Sequence, residues 1–219
     1  MNSRTLVVLV AASLALGSCS KWQHGVAVNG TVFSQVKIDD HGFTIGLLTR
    51  ETVIGDRLCK QGWVHMHPNG VVAAFTASEP VPFGKFMIQS DTWVKQDERG
   101  IVTICAFPRA TDVQGHWCRG TGGPKGVQTA FYPGGTLKQY YPVCDVLIDG
   151  MPCRAGAFNG WIELHENGRL KSALLDADLE REGQHYRRGT RVEFDTEGRI
   201  VPKVDSPVEI RIGECGMAS

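Results

Sequence analysis

The sequence lacks the short signatures that most enzymes carry. There is no Gly-x-Ser-x-Gly elbow, no His-Glu-x-x-His pair and no Gly-x-x-x-x-Gly-Lys-Ser/Thr loop. These absences exclude the nucleophile turn of α/β-hydrolases, the zincin helix and the P-loop. Serine, histidine and aspartate are all present, but no spacing joins them into a catalytic set. No Cys-x-x-Cys pair occurs, which removes zinc ribbons and thioredoxin-type motifs. Neither sign of charge is in surplus. With residues 1–18 set aside, 22 Lys and Arg face 23 Asp and Glu, a net charge of −1. Without a basic excess there is nothing to hold a polyphosphate, so nucleic acid is not an expected partner. Beyond the N-terminus no run is apolar enough to span a bilayer, and no convincing amphipathic helix appears. "LLDADLEREG", 174–183, is the nearest to one, yet it aligns with the strand-turn half of other segments.

What is present begins with "MNSRTLVVLVAASLALGSCS". One charge, Arg4, precedes an apolar run from Leu6 to Leu16 that is too short to span a bilayer and ends in small residues. This is the layout of a secretory signal. "LGSC", Leu16 to Cys19, resembles the lipobox of bacterial lipoproteins. The resemblance implies that residues 1–18 are a signal peptide and that Cys19 is lipidated. It also implies an exported protein held to a membrane by that lipid. Ser20 in the next position fits sorting to the outer membrane in a cell with two membranes. A short tether is expected over 19–34 and a repeat domain over 35–219.

The repeat is the dominant internal signal. "KIDDHGFT", "HMHPNGVV", "KQDERGIV", "AFYPGGTL", "ELHENGRL" and "EFDTEGRI" place a glycine at Gly42, Gly70, Gly100, Gly135, Gly168 and Gly198. The steps are 28, 30, 35, 33 and 30 residues, a periodicity that marks a repeat architecture. Before each glycine, apolar residues alternate: Val36 and Ile38, Val64 and Met66, Ile162 and Leu164, Val192 and Phe194. Period two denotes a half-buried strand. The glycine supplies the positive φ of a type I turn plus bulge, and a second strand follows. A second turn closes most units, as in "GDRLC", "GHWC", "GMPC" and "GQHY". The expected fold is all-β: six units of antiparallel β-hairpins in a meandering single-layer or rolled sheet, with a closed barrel or sandwich as the alternative. "RGTGGPKG", 119–126, lies in the longest step and reads as an insertion loop.

"FYPGGTLKQYY", 131–141, and "LHENGRLKSALL", 164–175, resemble the MORN-variant repeat of bacterial proteins, with its aromatic–Asn–Gly–x–Leu turn. The resemblance covers the turn halves of about five units. It implies an antiparallel sheet, in a family some of whose members are labelled antitoxin-like.

Candidate sites follow from the alternation. His65 and His67 sit one residue apart, and alternate strand positions place two imidazoles on one face, as a metal needs. The equivalent pairs elsewhere are Lys37/Asp39, Lys95/Asp97, Ala130/Tyr132, Glu163/His165 and Glu193/Asp195. The histidines therefore read as part of a solvent-facing polar track, and no metal or other cofactor is expected. Exchanging both for Lys and Asp is expected to be tolerated. Trp63, Trp93 and Trp161 each stand seven residues before the repeat glycine, on the same parity as the polar track. They form a candidate aromatic platform for a glycan or protein, with rings capping the core edge as the other reading. Six cysteines follow Cys19: Cys59, Cys105, Cys118, Cys144, Cys153 and Cys215. An even count in an exported chain permits disulfides, in any of fifteen connectivities. Cys59, Cys118 and Cys153 recur after the second turn, with Cys215 in a partial last unit, and Tyr186 stands in the same slot. A structural role is expected there rather than redox chemistry. The functional expectation is a non-enzymatic binding or scaffold module for a protein or glycan of the cell envelope. An immunity or antitoxin-type inhibitor is the alternative, and a metal-dependent enzyme through His65 and His67 ranks behind both.

Overall fold

The structure is a computed structural model; it describes residues 21–156, 159–181 and 183–201. The expected signal peptide, Cys19 and Cys215 lie outside these residues. The described chain is all-β, with no helix. Twelve strands form one antiparallel sheet, in chain order from Gln23–Val28 to Arg191–Glu193, and the sheet does not close into a barrel. Five short two-stranded hairpins interrupt the meander, the first joining Thr52–Ile54 to Arg57–Cys59 and the last Leu179–Arg181 to Gln184–Tyr186.

Each of the first five repeats thus contributes one large hairpin to the sheet, and the sixth contributes the strand Arg191–Glu193 among the described residues. In the second unit Gly62–Met66 pairs with Val72–Thr76, and in the third Trp93–Gln96 pairs with Val102–Ala106. The six turn glycines have φ between 77° and 86°, a region that L side chains resist. The turn bonding is the same throughout: Gly70 N–H donates to His67 O at 2.9 Å, and His67 N–H donates to Val71 O at 2.8 Å. Asp39, Asp97 and Asp195 fill the first turn position in other units. Each accepts two further backbone N–H groups at its carboxylate, as Asp97 Oδ1 does from Arg99 and Ile101. The short hairpins turn in two residues. Gln114 and Gly115, like Asp149 and Gly150, both have positive φ, the signature of type I′.

The expected tether over 19–34 does not describe residues 23–34. Gln23–Val28 and Thr31–Ile38 pair as the first hairpin of the sheet, turning at Asn29-Gly30 with both φ positive. Asn-Gly between two apolar stretches is itself a strong hairpin signal, and the backbone groups of these residues are satisfied by joining the sheet. Residues 119–128 carry no strand.

The two faces of the sheet differ. One carries Val64, Phe75, Val94, Cys105, Tyr140, Ile162 and Val192, all buried in a single core with residues of the short hairpins such as Ile88, Val113 and Cys118. The short hairpins therefore cover this face. Polar links fix them there. His116 Nδ1 lies 2.9 Å from the hydroxyl of buried Tyr140, and Gln114 bridges Gly135 O and Leu137 N–H of the next large turn. Burial lowers the His116 pKa and raises that of Tyr140. Tight packing shows at Gly46, where an added Cβ would lie 2.3 Å from the ring of Phe33. The opposite face stays open. A continuous cross-strand row on it joins Lys37, Ile45, His65, Ala74, Lys95, Ile104, Ala130, Gln139, Glu163, Ser172 and Glu193.

Candidate functional site: a trough on the open sheet face

The two histidines have different environments. His65 is exposed in the open-face row, and burial by its neighbours still holds its pKa below the ordinary value. His67 is not on the solvent-facing track: only 8 % of it is exposed. The alternation ends one residue early, because His67 is the first turn residue and the register shifts between His65 and Met66. Its ring lies 5.3 Å from that of Phe43, and Nε2 is 3.0 Å from Gln96 O. A carbonyl only accepts, so Nε2 carries the proton. Nδ1 is buried without a partner, and His67 borders one concavity with His65. No group of three or more His, Cys, Asp or Glu able to hold a metal occurs among the described residues.

The His67 bond is one rung of a repeat-to-repeat ladder. Tyr132 hydroxyl donates to Leu164 O at 3.0 Å, and His165 Nε2 donates to Phe194 O at 2.8 Å. Asn69 Nδ2 donates to Glu98 O at 2.9 Å, and Asn167 Nδ2 to Thr196 O at 3.3 Å. Each His-x-Asn turn thus holds the following Asp-type turn by two backbone carbonyls.

Holding that following turn creates a concavity. Four large hairpins carry this same register shift, with an extra residue in the partner strand: Ala73, Thr103, Lys138 or Lys171. Such a bulge turns two successive side chains toward one face. The pairs are Thr103-Ile104, Lys138-Gln139 and Lys171-Ser172 in three units, but Ala73-Ala74 in the second. Two methyl groups leave a floor where others raise bulk. His65 and Lys95 stand on the strands either side of Ala74 and form the walls. The resulting trough has a volume of about 680 Å³ and is bounded at its turn end by Asp97, Glu98 and Arg99, within the size range of ligand sites. Asp97 is engaged by its own turn. Among the described residues neither Lys95 nor Arg99 forms an ion pair, and these two cations share the rim with the carboxylates of Asp97 and Glu98.

The tryptophans do not form three free platforms. Trp63 and Trp93 stand two residues before the wall residues His65 and Lys95, and Trp93 pairs with Thr76, two residues beyond Ala74. Trp63 is 47 % exposed and lies against Trp22, ring centroids 5.4 Å apart. Trp93 is half-buried. Trp161, also half-buried, is covered by the Arg191 guanidinium at 3.8 Å. That guanidinium also donates to Trp161 O and Ser172 Oγ. Its ring serves a stacked structural pair far along the sheet from the trough.

The five described cysteines are all free thiols, and Cys59, Cys105, Cys118 and Cys153 are buried. Burial pushes Cys59, Cys118 and Cys153 up to about 12 and raises Cys105 as well. Each recurrent thiol donates to the carbonyl two residues earlier, Cys153 to Met151 O at 3.3 Å. In the second short hairpin Ile88 holds the same slot, fully buried. Thiols so protonated are poor nucleophiles. Comparison with protein-family models, with curated proteins and with solved structures finds no match to this chain.

Proposed function

We propose that this chain is a lipoprotein carrying MORN-variant-like hairpin repeats, anchored through Cys19 to a membrane of the cell envelope. In this reading it acts as a non-enzymatic binding module. Its ligand is an acidic glycan or protein segment seated in the trough over Ala73 and Ala74. The supporting observation is that the one unit whose bulge carries two alanines also brings Lys95 and Arg99, neither in an ion pair among the described residues, to a rim they share with Asp97 and Glu98. An apolar floor takes the C–H face of a ligand, and the cations orient its carboxylate. Equilibrium binding of acidic and neutral oligosaccharides to wild type, Ala74→Leu and Lys95→Ala tests the reading. Acidic oligosaccharides should bind wild type and lose affinity in both variants, with folding unchanged. Binding that neither variant alters would reject the trough. Capture of a stoichiometric protein by crosslinks placed in the trough, with no oligosaccharide bound, would instead favour the inhibitor alternative.

A further inference from the structure

We propose that the patch formed by Trp22 and Trp63, with Lys21 and Lys37 beside it, is a membrane-seating surface that contacts the headgroup region of the bilayer. The inference rests on the lipid-anchor reading of Cys19 and adds how the folded body sits.

Trp22 and Trp63 are 44 % and 47 % exposed, and their rings meet at 5.4 Å with a tilt of 58°. Two adjoining half-exposed indoles make an apolar patch of the kind that marks an interaction surface. Cations rim it: Lys37 Nζ lies 5.2 Å from the Trp22 centroid, and Lys21 precedes Trp22 and is exposed. Ile38, 51 % exposed, follows Lys37. An indole with an apolar body and one N–H donor suits the boundary between headgroups and acyl chains. Lysine places its methylenes there and its ammonium among anionic headgroups.

Covalent reach selects a bilayer as the occupant. Three residue steps lead from Cys19 to Trp22. Fully extended, they span at most about 11 Å. A lipid on Cys19 therefore holds Trp22, and the Trp63 ring against it, close to the membrane.

The full chain, isolated with its lipid, is reconstituted into phosphatidylethanolamine–phosphatidylglycerol vesicles. Some vesicles carry phospholipids brominated near the headgroup end of the acyl chains, which quench tryptophan on contact. Incorporation of labelled palmitate is measured on the same samples. The expected result is marked quenching in wild type and its loss in Trp22→Ser/Trp63→Ser, with palmitate label and circular dichroism unchanged. Lys21→Glu/Lys37→Glu should at least halve the quenching. Equal quenching in wild type and the tryptophan double variant, or none in labelled wild type, overturns the seating while leaving the anchor reading intact. Absence of palmitate in wild type overturns the anchor reading, and the seating with it.

Discussion

Replacing His67 by alanine tests the repeat-to-repeat ladder directly. The substitution removes the bond from Nε2 to Gln96 O, a net loss of about 1 kcal/mol. It also leaves that carbonyl without its side-chain donor in a largely buried place, and an unsatisfied buried acceptor costs a further 1–2 kcal/mol or so. Contact with the Phe43 ring is lost as well. The sum is about 2–4 kcal/mol. For a domain of this size it corresponds to a fall in Tm of roughly 5–12 °C. His65→Ala, two residues away but exposed, should stay within about 0.5 kcal/mol of wild type. His67→Asp should fall between them. Aspartate fills this slot at Asp39, Asp97 and Asp195 and bonds its own turn, but it does not reach the next repeat. Thermal melts of the three variants, with and without chelator, decide the matter. Equal shifts for His65→Ala and His67→Ala would refute the ladder. A wild-type Tm that drops on adding chelator would show that the histidines hold a metal after all.

Two further outcomes are expected. Gly46→Ala should destabilise by about 1–3 kcal/mol, the usual range for overpacking, because its new Cβ meets the fully buried Phe33 ring. Chemical denaturation should show Phe33→Leu relieving part of that loss in the double variant, and additivity of the two substitutions would reject the steric account. In a Cys19→Ser/Cys215→Ser background, Ellman's reagent should titrate Cys144 alone in the native protein and all five thiols in denaturant. Fast native reaction of Cys59, Cys118 or Cys153 would contradict the burial that raises their pKa values.

Much of the fold was legible because the repeat writes the same physics six times. A glycine with φ near +80° every thirty residues or so, flanked by period-two alternation, specifies hairpins whatever fills the polar face. What was not legible depends on pairing. His67 obeys the alternation in sequence yet leaves the open face, since a turn plus a register shift breaks parity at that point. The pairing of Trp161 with Arg191 joins residues thirty apart across intervening strands, and no local pattern announces it. The first hairpin carried its own signal in Asn29-Gly30, but its spacing falls outside the thirty-residue period. The large-turn glycine rhythm therefore does not count it.

The trough shows how a repeat protein can acquire one site without altering its backbone. Equivalent units share turn, bulge and cross-strand register, so the positions that face outward at the bulge are interchangeable in geometry and differ only in volume. Filling them with Lys171 lets the side chain pair with Glu163, and filling them with Lys138 places an ammonium over Tyr132. Both cover the sheet. Filling them with Ala73 and Ala74 puts only two methyl groups there, at the floor of a trough. The preceding turn, through His67 and Asn69, then fixes the Asp97–Gly100 turn at the open end. Rigidity at the rim comes from the ladder and emptiness at the floor from two small residues, and a pocket needs both. Deleting either should abolish binding by a different route. Loss of His67 should loosen the rim and weaken affinity together with stability. Ala74→Leu should fill the floor and weaken affinity while stability holds. Measuring both quantities on both variants separates a formed site from an incidental gap between repeats.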